Sequence, residues 1–113
     1  MEWETKRGFL EKRIEIFTDQ IYVWDLHIVE SSIWECHVLY FRIQDQSGSP
    51  VSPFKIREIE FISQEEHPVL GIPYYFIHPC QSNLLMNELK VKEKDRLQFL
   101  ISMWQNNLGL KLL

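Results

Sequence analysis

An alternation of apolar and charged side chains in the first 43 residues is the feature that most constrains the fold of this chain. Residues 10–16 and 21–29 each follow a two-residue period, which is typical of strands with one solvent-facing side. The segment 33–43 is so rich in apolar residues that we expect a central strand covered on both faces. Because only short polar links join the three segments, the pattern predicts an antiparallel meander.

The second half of the chain favours helices. Ser52 is suited to cap a helix and Pro53 to begin one, so we expect a helix from there to about Ser63. A short aromatic strand follows at 74–77, and apolar residues spaced three or four apart over 97–108 predict a C-terminal helix. The predicted fold class is therefore α+β, an antiparallel sheet of about four strands with helices packed on one face.

Size and composition exclude several classes of protein. With 113 residues, we expect one domain spanning 1–113. A formal net charge of −4 argues against a nucleic-acid-binding protein, and no apolar run approaches the roughly 20 residues that cross a bilayer. The chain has two cysteines and no secretory signal, which favours a reduced, soluble, intracellular protein.

The candidates for chemistry are the two cysteines and the four histidines. Cys80 follows Pro79 and precedes three polar residues, so we expect an exposed thiol on a rigid loop where a strand ends. Such a thiol can attack an acyl group, although an idle or buried cysteine would produce the same local sequence. Cys36 alternates with Val38 inside a strand, and we interpret it as a packing residue. The histidines are His27, His37, His67 and His78.

Three other functions remain open from the residues alone. His78 and Cys80, with His67 or with Cys36, could bind zinc, although their spacing matches no common zinc template. A cysteine protease with His67 or His78 as its base would need a substrate cleft that a short chain hardly accommodates. A non-catalytic adaptor could dock a partner strand on a sheet edge, for which 21–29 is the predicted edge strand.

The segment 61–80 carries a more specific pattern. Ser63 is followed by His67-Pro68, and the segment ends in His78-Pro79-Cys80. This arrangement resembles the catalytic segment of the autophagy ubiquitin-like-conjugating enzymes, and it is most similar to the autophagy-related ten family. The stretches 37–42 and 52–62 also resemble that family, and the likeness extends over roughly residues 8–108.

This resemblance implies a fold and a function. The fold would be that of a ubiquitin-conjugating enzyme, and no metal or cofactor would be required. Cys80 would accept the ubiquitin-like protein autophagy-related twelve from the activating enzyme autophagy-related seven, and would transfer it to a lysine of autophagy-related five. The localisation expected from the resemblance is cytoplasmic, at the site of autophagosome formation.

The resemblance also implies roles for three residues besides Cys80. Ser63 matches a position where relatives often carry Thr, and His67 and His78 match the two family histidines. We treat all three as supports for the geometry or solvation of the active site, not as acid or base groups.

Two departures from ordinary ubiquitin-conjugating enzymes qualify this expectation. The residues before the first strand are too few for the long first helix of those enzymes, which indicates a minimal family member or a shortened chain. The His-Pro-Asn sequence is also missing, so another donor, a backbone N–H or a nearby polar side chain, must stabilise the oxyanion.

Overall fold

Alternating side chains in the front half of the chain form three long strands of one sheet. A computed structural model describes residues 2–113, with two helices and six strands in this part of the chain. The strands are β1 (Glu4–Lys6), β2 (Phe9–Phe17), β3 (Ile21–Ser31), β4 (Cys36–Gln44), β5 (Ile62–Glu66) and β6 (Pro73–Ile77). The helices are α1 (Cys80–Glu88) and α2 (Arg96–Leu108), and 3-10 turns span Pro53–Lys55 and Glu93–Asp95.

All neighbouring strands in the sheet are antiparallel, in the order β1-β2-β3-β4-β6-β5. The α+β class and the antiparallel sheet are confirmed, but the prediction of about four strands is wrong. It missed the short β1, and it missed β5 because the predicted helix ran to about Ser63 and no regular structure was expected from there to Tyr74. The interpretation of 21–29 as an edge strand is also wrong, since β3 lies between β2 and β4 and the edges are β1 and β5.

The helix predicted from Ser52 to about Ser63 is wrong. Only one 3-10 turn forms, at Pro53–Lys55, and the Ser52 side chain makes no capping hydrogen bond. Ile59 is buried, but Phe54 and Phe61 on either side of it are exposed, so the segment lacks the continuous apolar stripe that would hold a helix against the sheet.

One face of the sheet packs against both helices. Alternate residues of β3 and β4 meet apolar residues of α1 and α2 in a single core. Trp24, Leu26 and Phe41 are almost completely buried there, against Met86 and Trp104 of the helices. The C-terminal helix was predicted correctly, and it ends where Gly109 adopts a left-handed conformation with φ 69°.

The opposite face of the sheet is covered by aromatic rings, and we call it the aromatic face. Its buried members are Val29, Val38, Tyr40, Tyr74 and Phe76. The prediction that β4 is central and covered on both faces is therefore confirmed, because Leu39 and Phe41 point to the helices while Tyr40 lies on the aromatic face.

Residues near both ends of the chain meet on the helix face. The carbonyl oxygen of Leu112 accepts hydrogen bonds from Lys12 Nζ (3.0 Å) and Trp3 Nε1 (3.1 Å). The Lys12 side chain is buried, so this acceptor offsets part of the cost of removing its ammonium group from water. Neither described helix has the length and hydropathy needed to cross a membrane.

The core between sheet and helices should dominate stability. Leu26 is 0% exposed, so Leu26→Ala is expected to lower the free energy of unfolding by roughly 2–5 kcal/mol through lost burial and a cavity. Leu84→Ala on exposed α1 is the matched control and should change it by less than about 0.5 kcal/mol. Urea denaturation measures both, and equal effects would contradict this packing.

Candidate functional site

Cys80 is the first residue of α1 and is exposed to solvent. The strand before it, β6, pairs with β4 and β5, so its end is fixed by the sheet. Pro79 then takes a helical conformation (φ −86°, ψ −1°), which turns the chain from strand into helix within two residues. The exposed thiol was predicted, but the helix after it was not. Only Ser82 and Met86 of α1 are buried, so the segment has no apolar stripe by which sequence could reveal a helix.

His78, which lies between β6 and Pro79, is held by two hydrogen bonds. The backbone N–H of His78 donates to the carbonyl oxygen of Phe61 at 2.8 Å. Its ring nitrogen Nε2 lies 2.7 Å from Ser63 Oγ on β5. The ring also packs edge-on against Phe76, with centroids 4.7 Å apart. The structure therefore brings two predicted site residues, Ser63 and His78, together, and His78 precedes Cys80 by two positions in the chain.

Phe61 was not singled out from the sequence. Its φ of 63° lies in the left-handed region, which is strained for an aromatic residue. The strained conformation directs its carbonyl to His78. The sequence shows only a bulky residue directly before a strand, and such a residue gives no indication of a positive φ.

Cys36 differs from Cys80 in its surroundings. It is half-buried at the start of β4 and packs beside the aromatic face. Burial raises the pKa of its thiol, although a hydrogen bond from the Asn83 side chain and the charge of Arg96 act in the opposite direction. Asn83 lies one turn after Cys80 on α1, so the two cysteines border the same end of the sheet.

His67, the third predicted supporting residue, lies on the aromatic face and not beside the thiol. It is 0% exposed and packs against Tyr40 and Tyr74. Its Nδ1 accepts hydrogen bonds from the backbone N–H groups of Val69 and Leu70, each at 3.1 Å. His67 therefore holds the loop 67–72 against the sheet.

The hydrogen bonds of His67 continue into a second buried histidine. His67 Nε2 lies 3.0 Å from His27 Nδ1, and His27 Nε2 lies 3.0 Å from Glu11 Oε2 and 3.3 Å from Asp25 Oδ1. Because His67 Nδ1 accepts two N–H groups, its proton must be on Nε2, which donates to His27 Nδ1. His27 therefore carries its own proton on Nε2 and donates it to Glu11 Oε2, with Asp25 Oδ1 nearby at 3.3 Å.

The position of the His27 proton decides whether the cluster of Glu11, Asp25 and His27 can bind a metal ion. Their ligand atoms lie within 4.8 Å of one another, which is close enough for a metal ion. With a proton on Nε2, however, His27 has no lone pair there for a metal. Burial raises the pKa of Asp25, but its contact with the Nε2–H group of His27 and the charges of Arg13 and Arg42 lower it overall. In this arrangement Nε2 of His27 acts as a hydrogen-bond donor to the carboxylate of Glu11 and not as a metal ligand.

The zinc alternative drawn from the sequence grouped His78 and Cys80 with His67 or Cys36. Both ring nitrogens of His67 are occupied by the contacts just described, and it is packed among aromatic rings. His67 is therefore not free to join a ligand set with Cys80.

Together, the fold and the site define a class of protein. It is an α+β domain with one antiparallel sheet, two helices on one face, and an exposed cysteine at the point where a sheet strand passes into a helix.

Comparisons with known proteins identify the family. The chain belongs to the family described as autophagocytosis associated protein, active-site domain, whose model matches residues 7–109. The match covers the whole sheet from β2 onward and both helices.

Three relatives share the name ubiquitin-like-conjugating enzyme ATG10. The Homo sapiens protein is 30% identical over 81 residues, covering 59% of this chain and 37% of the relative. The Dictyostelium discoideum protein is 32% identical over 90 residues (66% and 39%), and the Arabidopsis thaliana protein is 34% identical over 76 residues (55% and 34%). This chain thus spans little more than a third of the length of these relatives.

The buried histidine pair makes stability depend on pH. Burial, and to a lesser extent His27, lower the pKa of His67 to about 4 from its ordinary 6.5, against an opposing effect of Asp25. The unfolded chain therefore takes up a proton before the folded chain does, and stability falls as pH drops from 6.5 towards 4. Between pH 7 and pH 5 we expect a loss of about 2 kcal/mol from this group.

The control is His67→Asn, whose Oδ1 can accept the same backbone N–H groups without titrating. Urea unfolding at the two pH values should show the additional loss in the wild type and not in the variant. If both proteins lose stability equally, the histidine pair is not its source.

Proposed function

We propose that this domain is a ubiquitin-like-conjugating enzyme of autophagy and that Cys80 carries its cargo as a thioester. The observation that carries the proposal is that Cys80 is exposed at the start of α1. It lies within residues 7–109, which match the family model. The relatives named as ubiquitin-like-conjugating enzymes support it. The finer assignment is that autophagy-related seven loads autophagy-related twelve, which then passes to a lysine of autophagy-related five.

We also propose that residues 1–113 form one domain of the ubiquitin-conjugating-enzyme type. The antiparallel meander β1–β4 and the placement of both helices on one face support this assignment. The proposed location is the cytoplasm, at the site of autophagosome formation, where the conjugation would take place.

The proposed chemistry has two steps at one sulfur. The Cys80 thiolate attacks the carbonyl of the incoming thioester, a new S–C bond forms, and the thiol of the activating enzyme leaves. A deprotonated lysine amine then attacks the same carbonyl, an amide bond forms, the S–C bond breaks, the Cys80 sulfur leaves as its thiolate, and the extra amine proton passes to solvent. No metal or cofactor takes part in either step.

The start of α1 offers donors for the oxyanion formed in both steps. The first N–H groups of a helix have no partner within it, and Cys80 contributes the first of them. Ser82 Oγ donates to the carbonyl of Pro79 at 2.9 Å, which fixes this turn. Backbone N–H groups are therefore the proposed replacement for the missing Asn.

The proposed roles of the supporting residues follow from their contacts. Ser63 and His78 hold the approach to Cys80 through their 2.7 Å hydrogen bond. His67 supports the loop 67–72 on the aromatic face, and any effect on activity would act through that loop.

Substitution of the cysteines tests the proposal. With activating enzyme, ATP and the ubiquitin-like protein, the wild type should form an adduct that a reducing agent cleaves. Cys80→Ser should form either a slower, reduction-resistant oxyester or no adduct, and Cys80→Ala should form none. Non-reducing and reducing gels measure the products.

Cys36→Ser is the matched control, because Cys36 is the half-buried thiol. It should retain most of the loading. Full loading of Cys80→Ala would contradict the proposal. A folded protein that binds the ubiquitin-like protein without any covalent adduct would instead indicate a non-catalytic adaptor.

Ser63 provides a second, independent test. Ser63→Ala removes the hydroxyl that contacts His78, and it should lower the loading rate roughly three- to tenfold, since such a hydrogen bond contributes about 1 kcal/mol. Ser63→Thr keeps the hydroxyl and should restore the rate. Ser63 is exposed, so thermal unfolding should barely change, and equal rates for both variants would eliminate this role.

A further inference from the structure

The segment between β4 and β5 contains two serine–proline steps. Ser49 and Ser52 each precede a proline, and only Ser52 is followed by a cation three positions on, at Lys55. Proline-directed serine/threonine kinases accept a serine whose next residue is proline, which has no backbone N–H, and the cyclin-dependent class favours a basic residue at this spacing. Residues 52–55 therefore carry the acceptor pattern of that class, whereas Ser49 lacks the cation.

The turn that contains this pattern is only lightly tied to the sheet. Ser52 is half-buried, and its hydroxyl makes no capping hydrogen bond. The backbone N–H groups of Lys55 and Ile56 donate within the turn, to the carbonyls of Ser52 and Pro53, each at 3.1 Å. Phe54 is exposed and Pro53 is buried, so a kinase must meet a locally opened form of the segment. Such opening costs little where few contacts hold the backbone.

A cleft lies beside Ser52 at the point where β4 and β6 separate. These two strands pair only over Tyr40–Phe41 and Tyr75–Phe76. The cleft has a volume of about 430 Å³, and its lining includes Arg42, Ser52 and Gln64. A phosphoryl group is only a few times larger than a water molecule, whose share of liquid volume is about 30 Å³. The cleft therefore has room for a phosphate on the Ser52 hydroxyl.

Arg42 supplies the charge that such a phosphate would need. Among the described residues 2–113, it is the only charged residue in the lining, and the ion pairs of this part of the chain do not include it. Its guanidinium carbon lies 5.0 Å from the centre of the Tyr74 ring, and Asp25, its register partner on β3, attracts it at longer range. A guanidinium binds phosphate through two parallel N–H···O bonds. The cleft thus combines a free serine hydroxyl with a guanidinium that has no ion pair.

We propose that Ser52 is a phosphorylation site for a proline-directed serine/threonine kinase, and that its phosphate binds Arg42 in the cleft. In the reaction Ser52 Oγ attacks the γ-phosphorus of ATP, a new O–P bond forms, the bond to ADP breaks, and the hydroxyl proton passes to the catalytic base of the kinase. The phosphate then ties the segment between β4 and β5 to the sheet, with the Gln64 amide as a further donor. This inference does not involve Cys80, so its test is independent of the proposed function.

Incubation of the full chain with a recombinant cyclin-dependent kinase, its cyclin and ATP tests the acceptor. We expect one phosphate per chain by intact mass, located at Ser52 by peptide mapping. Ser52→Ala should abolish the modification, and Ser49→Ala, the matched control at the other serine–proline step, should not. Lys55→Gln should slow it roughly tenfold, which corresponds to the loss of about 1.4 kcal/mol of interaction.

The phosphorylated protein tests the contact with Arg42. Phosphorylation should raise the midpoint of thermal unfolding of the wild type by roughly 3–6 °C. Arg42→Gln should still be phosphorylated but should gain little, and Arg42→Lys, which keeps the charge, should recover part of the gain. A phosphorus NMR titration of the wild type covers the case in which Arg42→Gln folds poorly. The guanidinium should hold the pKa of the phosphate below that of the same phosphate in a peptide of residues 45–61.

Each part of the proposal has an outcome that overturns it. Phosphate on Ser49 alone, or on the peptide 45–61 but not on the folded chain, would overturn the assignment of the acceptor. Phosphate on Ser52 that stabilises the wild type and Arg42→Gln equally, or that has the same pKa in the protein and in the peptide, would overturn the contact with Arg42.

Discussion

The site depends on the turn from strand to helix at Pro79. The end of β6 is fixed on one side by β4 and on the other by β5, and the His78 N–H to Phe61 carbonyl bond prevents the chain from moving away from β5. Because the chain enters α1 immediately afterwards, the sulfur of Cys80 lies at the rim of the sheet while Ser82 and Met86 of the same helix are buried. A thiol can thus remain exposed and still be well positioned, since its backbone belongs to the packed part of the molecule.

The two faces of the sheet are covered in different ways. The helix face is apolar, and α1 and α2 cover it by ordinary packing. The aromatic face includes two histidines, which need hydrogen bonds because they are removed from water. The line from the loop N–H groups through His67 and His27 to Glu11 satisfies all four ring nitrogens. It also explains why the loop 67–72 can cover a sheet without a helix.

Much of the fold could be predicted from periodicity, and the failures have physical reasons. A strand or helix with one or two buried sides has a clear pattern of apolar residues in its sequence. This holds for the strands β2, β3, β4 and β6 and for the helix α2. β5 is an edge strand with exposed Ser63 and Gln64, and α1 buries only Ser82 and Met86, so neither has a clear period. The edge assignment of 21–29 is wrong because the middle strand of an antiparallel meander pairs with the strand on each side of it, as β3 does with β2 and β4. Only the placement of β6 and β5 beside β4 depends on long-range pairing.

The site was partly predictable for a similar reason. Exposure of Cys80 could be expected from its polar neighbours, and the pairing of Ser63 with His78 follows once β5 and β6 form a hairpin. The contact between His27 and His67 joins residues 40 positions apart, and the left-handed Phe61 depends on its carbonyl partner. Neither leaves a local trace in the sequence.

The central claim is that the folded chain presents one open thiol, at position 80. The direct measurement is the rate of iodoacetamide alkylation of each cysteine in the native protein, followed by peptide mapping. The account predicts that Cys80 is labelled at least about tenfold faster than Cys36, whose burial raises its pKa and restricts access, and that unfolding removes the difference. Equal native rates, or faster labelling of Cys36, would contradict it.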